Sequence, residues 1–116
     1  MRTTRALLDS RELPLEVLVC ESFFERARGL LLRPPLARHQ ALLIEPCSAV
    51  HMLGMRYAID VVFVDRDARV VCVLESLRPW RFGAARGAHA TWELASGVSK
   101  ELRIERGTTL RDVRTL

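Results

Sequence analysis

No stretch of this sequence is apolar for long enough to cross a membrane as a helix, which takes about 18 residues. The longest runs are Ala41–Ile44, Ile59–Val64 (interrupted by Asp60) and Val70–Leu74. The N-terminus lacks the apolar core of a signal peptide, because Asp9, Arg11 and Glu12 follow its two early arginines too closely. Lysine is almost missing: of 18 basic residues, all but Lys100 are arginine. A dense basic run is missing as well. The arginines are spread along the chain with acids beside many of them, such as Asp65 and Asp67 around Arg66, so the net charge of +4 describes a solvated surface rather than a nucleic-acid interface. No repeat, linker or low-complexity tract occurs. The three cysteines, Cys20, Cys47 and Cys72, cannot all pair within one chain and form no C-x-x-C or zinc-type cluster.

What is present suits one globular domain spanning residues 1–116. The length is typical of a domain, and 49% hydrophobic with 28% charged residues is an ordinary balance. Leu15–Cys20 is apolar and β-branched and predicts a strand. Ser22 and Glu25 have the spacing of a capping box, which predicts a short helix through Arg28 with Gly29 ending it. Ala41–Glu45 is the next predicted strand, followed by an irregular segment from Pro46 through Gly54. Ile59–Val64 and Arg69–Glu75 carry the strongest strand signals, and the polar stretch Asp65–Ala68 between them suits a hairpin turn. Alternation places Ile59, Val61 and Phe63 on one face and Val62 and Val64 on the other, so this hairpin should be covered on both sides. Leu77–Ala90 reads as loop, Thr91–Leu94 as a strand, Ser96–Leu102 as one or two helical turns, and Thr109–Val113 as a last strand after a turn at Arg106-Gly107. The predicted class is α+β: a compact, antiparallel or mixed sheet, curled or barrel-like, with one or two short helices.

Three segments carry a resemblance. The run from Arg26 to Arg33, the block Met55-Arg56-Tyr57-Ala58-Ile59-Asp60-Val61-Val62-Phe63-Val64-Asp65, and Glu93-Leu94-Ala95-Ser96-Gly97 resemble the domain-of-unknown-function 192 family over about residues 15–110. The resemblance implies a compact, β-rich α+β domain from a bacterial and archaeal family. It implies no established activity. This chain departs from the family pattern at Gly54, Ala58, Ala68 and Thr108. Alanine in place of a turn glycine at Ala68 predicts that the backbone there avoids positive φ.

Unusual chemistry gathers between Cys47 and Asp60. Cys47 and His51 could act as nucleophile and base, although no Asn or Asp is placed to orient the imidazole. Cys47, His51 and Met55, with Met52, could serve as soft ligands for copper. The third reading is a pocket, with Arg56 and Arg78 available to an anion, Asp60 to orient one of them, and Trp80 as a wall. Glu93, flanked by Trp92 and Leu94, would need a buried partner, for which an arginine is expected. The expectation is a binding domain rather than an enzyme. It would take a small ligand or protein partner near Cys47–Asp60 and Arg78–Trp80, require no cofactor and no nucleic acid, and reside in the cytoplasm. Copper handling and cysteine-dependent catalysis are the alternatives.

Overall fold

The computed structural model describes residues 2–20 and 34–113. Among the described residues, nine strands and one short helix follow in chain order: β1 (Arg2–Leu8), β2 (Arg11–Cys20), β3 (Gln40–Ile44), β4 (Ala49–His51), β5 (Ile59–Val64), β6 (Val70–Leu77), β7 (Phe82–Ala84), β8 (Ala90–Ala95), α1 (Val98–Glu101) and β9 (Leu110–Asp112). The helix predicted from Ser22 to Arg28 lies outside the described residues.

Seven strands form one mixed sheet in the order β6-β5-β8-β3-β2-β1-β9, and β4 and β7 form a separate two-stranded ribbon. All neighbours in the large sheet are antiparallel except β2 and β3. Their parallel pairing follows from the long connection 21–39, since a tight turn can only reverse the chain. The predicted hairpin is β5–β6, and it lies at one edge of the sheet rather than at its centre. Its turn is fixed by Asp65, whose Oδ1 accepts the amides of Asp67 and Arg69, both at 2.9 Å. Ala68 sits in this turn at φ 64, in the left-handed region, so the expected avoidance of positive φ is overturned. The turn geometry, closed by the Ala68 amide on the Asp65 carbonyl at 3.0 Å, imposes the conformation on a residue that would not choose it.

All six residues of β5 are buried, and they divide as alternation requires. Val62 and Val64 enter one apolar cluster with Leu15, Val17, Leu43, Trp92 and Leu110. Ile59, Val61 and Phe63 enter a second with Leu42, Ile44, Met52 and Met55. The sheet is therefore a wall between two cores. It is not closed into a barrel, which corrects the curled or barrel-like expectation: β6 and β9 remain its edges. They approach at one isolated bridge, Arg69–Thr109, with the Val70 amide on the Thr108 carbonyl at 2.7 Å. β9 is only three residues long, which gives β6 little edge to pair with.

Candidate functional site

The ribbon covers the second core. Val50 pairs with Gly83 and His51 with Phe82. Beyond the strands, the Met52 amide donates to the Arg81 carbonyl and the Trp80 amide to the Met52 carbonyl, both at 2.8 Å. Gly83 explains how the ribbon lies so close to β6. A Cβ there would stand 2.5 Å from Leu74 Cδ1, so any other residue would have to push that side chain aside. Val50, Cys47 and Tyr57 pack downward against the core, and Leu53, Trp80 and Phe82 are left facing outward.

The structure separates the seven predicted site residues. Met55 is buried in the second core. Asp60 is fully buried and serves α1: its Oδ2 accepts the Ser99 amide at 2.9 Å, the Ser99 hydroxyl at 2.6 Å and the Gly97 amide at 3.1 Å. Oδ1 accepts the Ser76 amide at 2.8 Å. One carboxylate thus caps a four-residue helix that has no side-chain cap of its own and ties it to β6. It is turned toward these groups rather than toward Arg56 or Arg78, both of which are exposed.

Cys47 is half-buried, and its thiol donates to the Ala49 carbonyl at 3.2 Å. His51 is exposed, with Nδ1 accepting the Leu53 amide at 3.4 Å. Each side chain is engaged with its own local backbone, and Cys47 packs against the second core while His51 faces solvent, so neither is the other's hydrogen-bond partner. Met52 and Met55 point into the core while His51 faces solvent. Among the described residues, no three His, Cys, Asp or Glu side chains are grouped to hold a metal ion. A cavity of about 390 Å³ does exist, but its walls include Glu45, Val64, Trp92, Leu110 and Arg111, none of them in the predicted set.

Four of the seven, His51, Arg56, Arg78 and Trp80, remain at the surface of the ribbon and its flanking turns. Phe82, in the same predicted loop as Trp80, and Leu53, which carried no signal in the sequence, are also exposed large apolar side chains. Trp80 is 65% exposed and Phe82 70%. Trp80 also adopts φ 68, a region that costs a bulky L-residue on the order of 1–2 kcal/mol. Glu93 is the other surprise. It is buried with Oε2 unpartnered, no arginine among the described residues pairs with it, and burial pushes its carboxyl up to about 7. Its position in the apolar run Thr91–Leu94 was a visible signal. The expected arginine partner is not found among the described residues.

A family model described as "Uncharacterized ACR", DUF192, matches residues 6–111. The chain belongs to this family. A UPF0127 protein of Pyrococcus furiosus is 35% identical over 106 residues, covering 86% of this chain and 89% of its own. A UPF0127 protein of Thermococcus sibiricus is 36% identical over 97 residues, covering 78% of this chain and 62% of its own. Two crystal structures share the fold. A Novosphingobium aromaticivorans protein of unknown function superposes with TM-score 0.82 at 20% identity, covering 94% of this chain and 84% of its own. A Sinorhizobium meliloti protein, named as a candidate transcription regulator, superposes with TM-score 0.84 at 21% identity, covering 96% and 94%. At such identity the likeness concerns fold alone. Among the described residues of this DUF192 chain, no helix is long and apolar enough to cross a membrane.

Proposed function

We propose that this DUF192 domain is a binding module whose contact surface is the β4–β7 ribbon, and that its partner is an acidic protein segment carrying apolar side chains. The observation that carries this reading is Trp80, a large aromatic that is mostly exposed and held at positive φ. Burial does not repay its exposure, and its backbone conformation favours glycine. Bulky residues kept in such conformations concentrate at binding and catalytic sites.

Charge supports the choice of partner. No acid occurs between Pro46 and Ile59 or between Ser76 and Trp92, the two stretches that build the ribbon and its turns. The same stretches contain Arg56, Arg78, Arg81 and Arg86, all of them exposed. Tryptophan and arginine together dominate the energetics of protein interfaces, and a uniformly basic rim selects an acidic partner. In this reading Trp80, Phe82 and Leu53 form the apolar centre, while Arg56, Arg78 and His51 contribute the polar rim.

Calorimetric titration with a peptide of alternating Glu and Leu tests the reading. Binding is expected for the wild type, with at least a tenfold loss in Trp80→Ala and in the Arg78→Glu/Arg81→Glu double variant. A Lys-for-Glu peptide that binds equally well would contradict it, as would preferential binding of single-stranded oligothymidylate.

A further inference from the structure

Among the described residues, three buried side-chain polar atoms have no hydrogen-bond partner: Tyr57 Oη, Glu93 Oε2 and Arg111 Nε. Two of them share one layer. Glu93 stands on β8 directly between Leu42 of β3 and Val61 of β5. Side chains opposite one another on paired strands share a face, so the carboxyl enters the second apolar core with those two residues. Tyr57 packs against the same core, and its phenol lies close enough for the charge of Glu93 to act on it. The strand neighbours of Glu93 offer only carbon. Thr91, the nearest polar residue on that face of β8, commits its hydroxyl to the Cys47 carbonyl at 3.0 Å.

Buried polar atoms are nearly always paired, and two adjacent exceptions call for a missing partner. We propose that Glu93 and Tyr57 form a two-donor site for the carbonyl oxygen of a small apolar molecule, held between the sheet and the Met52–Tyr57 segment. Burial raises the pKa of both groups, that of Glu93 to about 7, and the charge of Glu93 adds to the rise at Tyr57. Both therefore hold a proton in slightly acidic solution and can donate it in a hydrogen bond. A neutral carboxyl beside a phenol in apolar surroundings is well suited to an oxygen that carries partial negative charge. A cationic ligand fits less well, because Arg56 adjoins Tyr57 and the covering stretches contain no acid.

Room for a guest can come from the cover itself. Met52 and Met55 are both buried over this face. Unbranched thioether side chains repack readily and recur at surfaces that accommodate varied apolar partners.

Cyclohexanone and methylenecyclohexane differ only in oxygen against CH₂, so the pair isolates the carbonyl. Titration of each into the full chain at pH 6, followed by amide NMR shifts, should show the ketone binding at least tenfold more tightly. The bound C=O stretch should move to lower wavenumber. At pH 8 the ketone should bind roughly tenfold more weakly as Glu93 ionises, and the hydrocarbon should be unaffected. Glu93→Leu and Tyr57→Phe both put a well-matched shape in the apolar layer, and each should remove the preference for the ketone while leaving hydrocarbon binding intact. Equal binding of the two probes to the wild type, binding of neither, or a preference that survives both substitutions would overturn the proposal.

Discussion

The amide of Trp80 donates to the carbonyl of Met52 at 2.8 Å, which clamps the tip of the ribbon and holds the indole outside the core. Met52 itself is buried. The contact joins the packed underside of the ribbon to its exposed aromatic face, so the position of Trp80 is inherited from the core without its side chain contributing to that core.

Replacing Trp80 with glycine should therefore leave the fold intact. Glycine accepts φ 68 without the steric cost of a side chain but adds chain entropy to the unfolded state. Stability measured by urea unfolding is expected to be unchanged or raised by up to about 1 kcal/mol. A loss of 2 kcal/mol or more on such a scale of mutational effects would make Trp80 a structural residue.

Glu93 should make stability depend on pH in a defined direction. Its folded carboxyl titrates near 7 against an ordinary value of 4.5, so between these values the folded state holds a proton that the unfolded state has released. Stability conferred by that bound proton is fully present below pH 4.5 and is lost as pH rises through 7. The loss should approach about 3 kcal/mol, from ~1.4 kcal/mol per unit of pKa difference. Glu93→Leu should abolish this component, so the stability difference between variant and wild type should widen from pH 5 to pH 8. A constant difference would contradict the assignment.

Asp60→Ala removes one acceptor from four donors, among them two amides at the start of α1. Hydrogen bonds to a buried carboxylate are worth roughly 1.5–3 kcal/mol each, and their losses are not additive, so a cost of about 3–5 kcal/mol is expected by urea unfolding. Amide exchange should quicken first at Ser76, Gly97 and Ser99. A cost below 1 kcal/mol would show that the helix is held by other contacts.

Ala68→Gly should stabilise the protein. The turn already holds this residue at φ 64, and relief of that strain outweighs the added entropy of glycine by up to about 1 kcal/mol. Thermal unfolding gives the sign directly, and a lower Tm would show that the turn tolerates alanine without strain.

The β5–β6 hairpin was legible because Ile59–Val64 is apolar on both faces, and the structure fills both faces of β5 with core. β1 was not. Arg2–Leu8 begins with basic and hydroxyl side chains and becomes a strand through its pairing with β2 and β9, a long-range cause that no local pattern records. β4 and β7 were hidden for a related reason: they are three residues each, and β7 packs through Gly83 against Leu74. In the site, the residue types between Cys47 and Asp60 drew attention correctly to the segment but could not show which side chains face the core. Register sends Met55 and Asp60 inward and leaves Arg56 at the surface. The flag on Glu93 needed the identities of its cross-strand neighbours, Leu42 and Val61, before the absence of a partner became visible.

The ribbon surface is tested most directly by the fluorescence of the two tryptophans. Trp92 is buried and Trp80 is 65% exposed, so iodide should quench Trp80 selectively. Saturation with the Glu-Leu peptide should shift the emission to the blue and protect Trp80 from iodide, with no such change in Trp80→Phe. If the peptide binds while Trp80 stays fully quenchable, the contact surface lies elsewhere and the account of the ribbon is wrong.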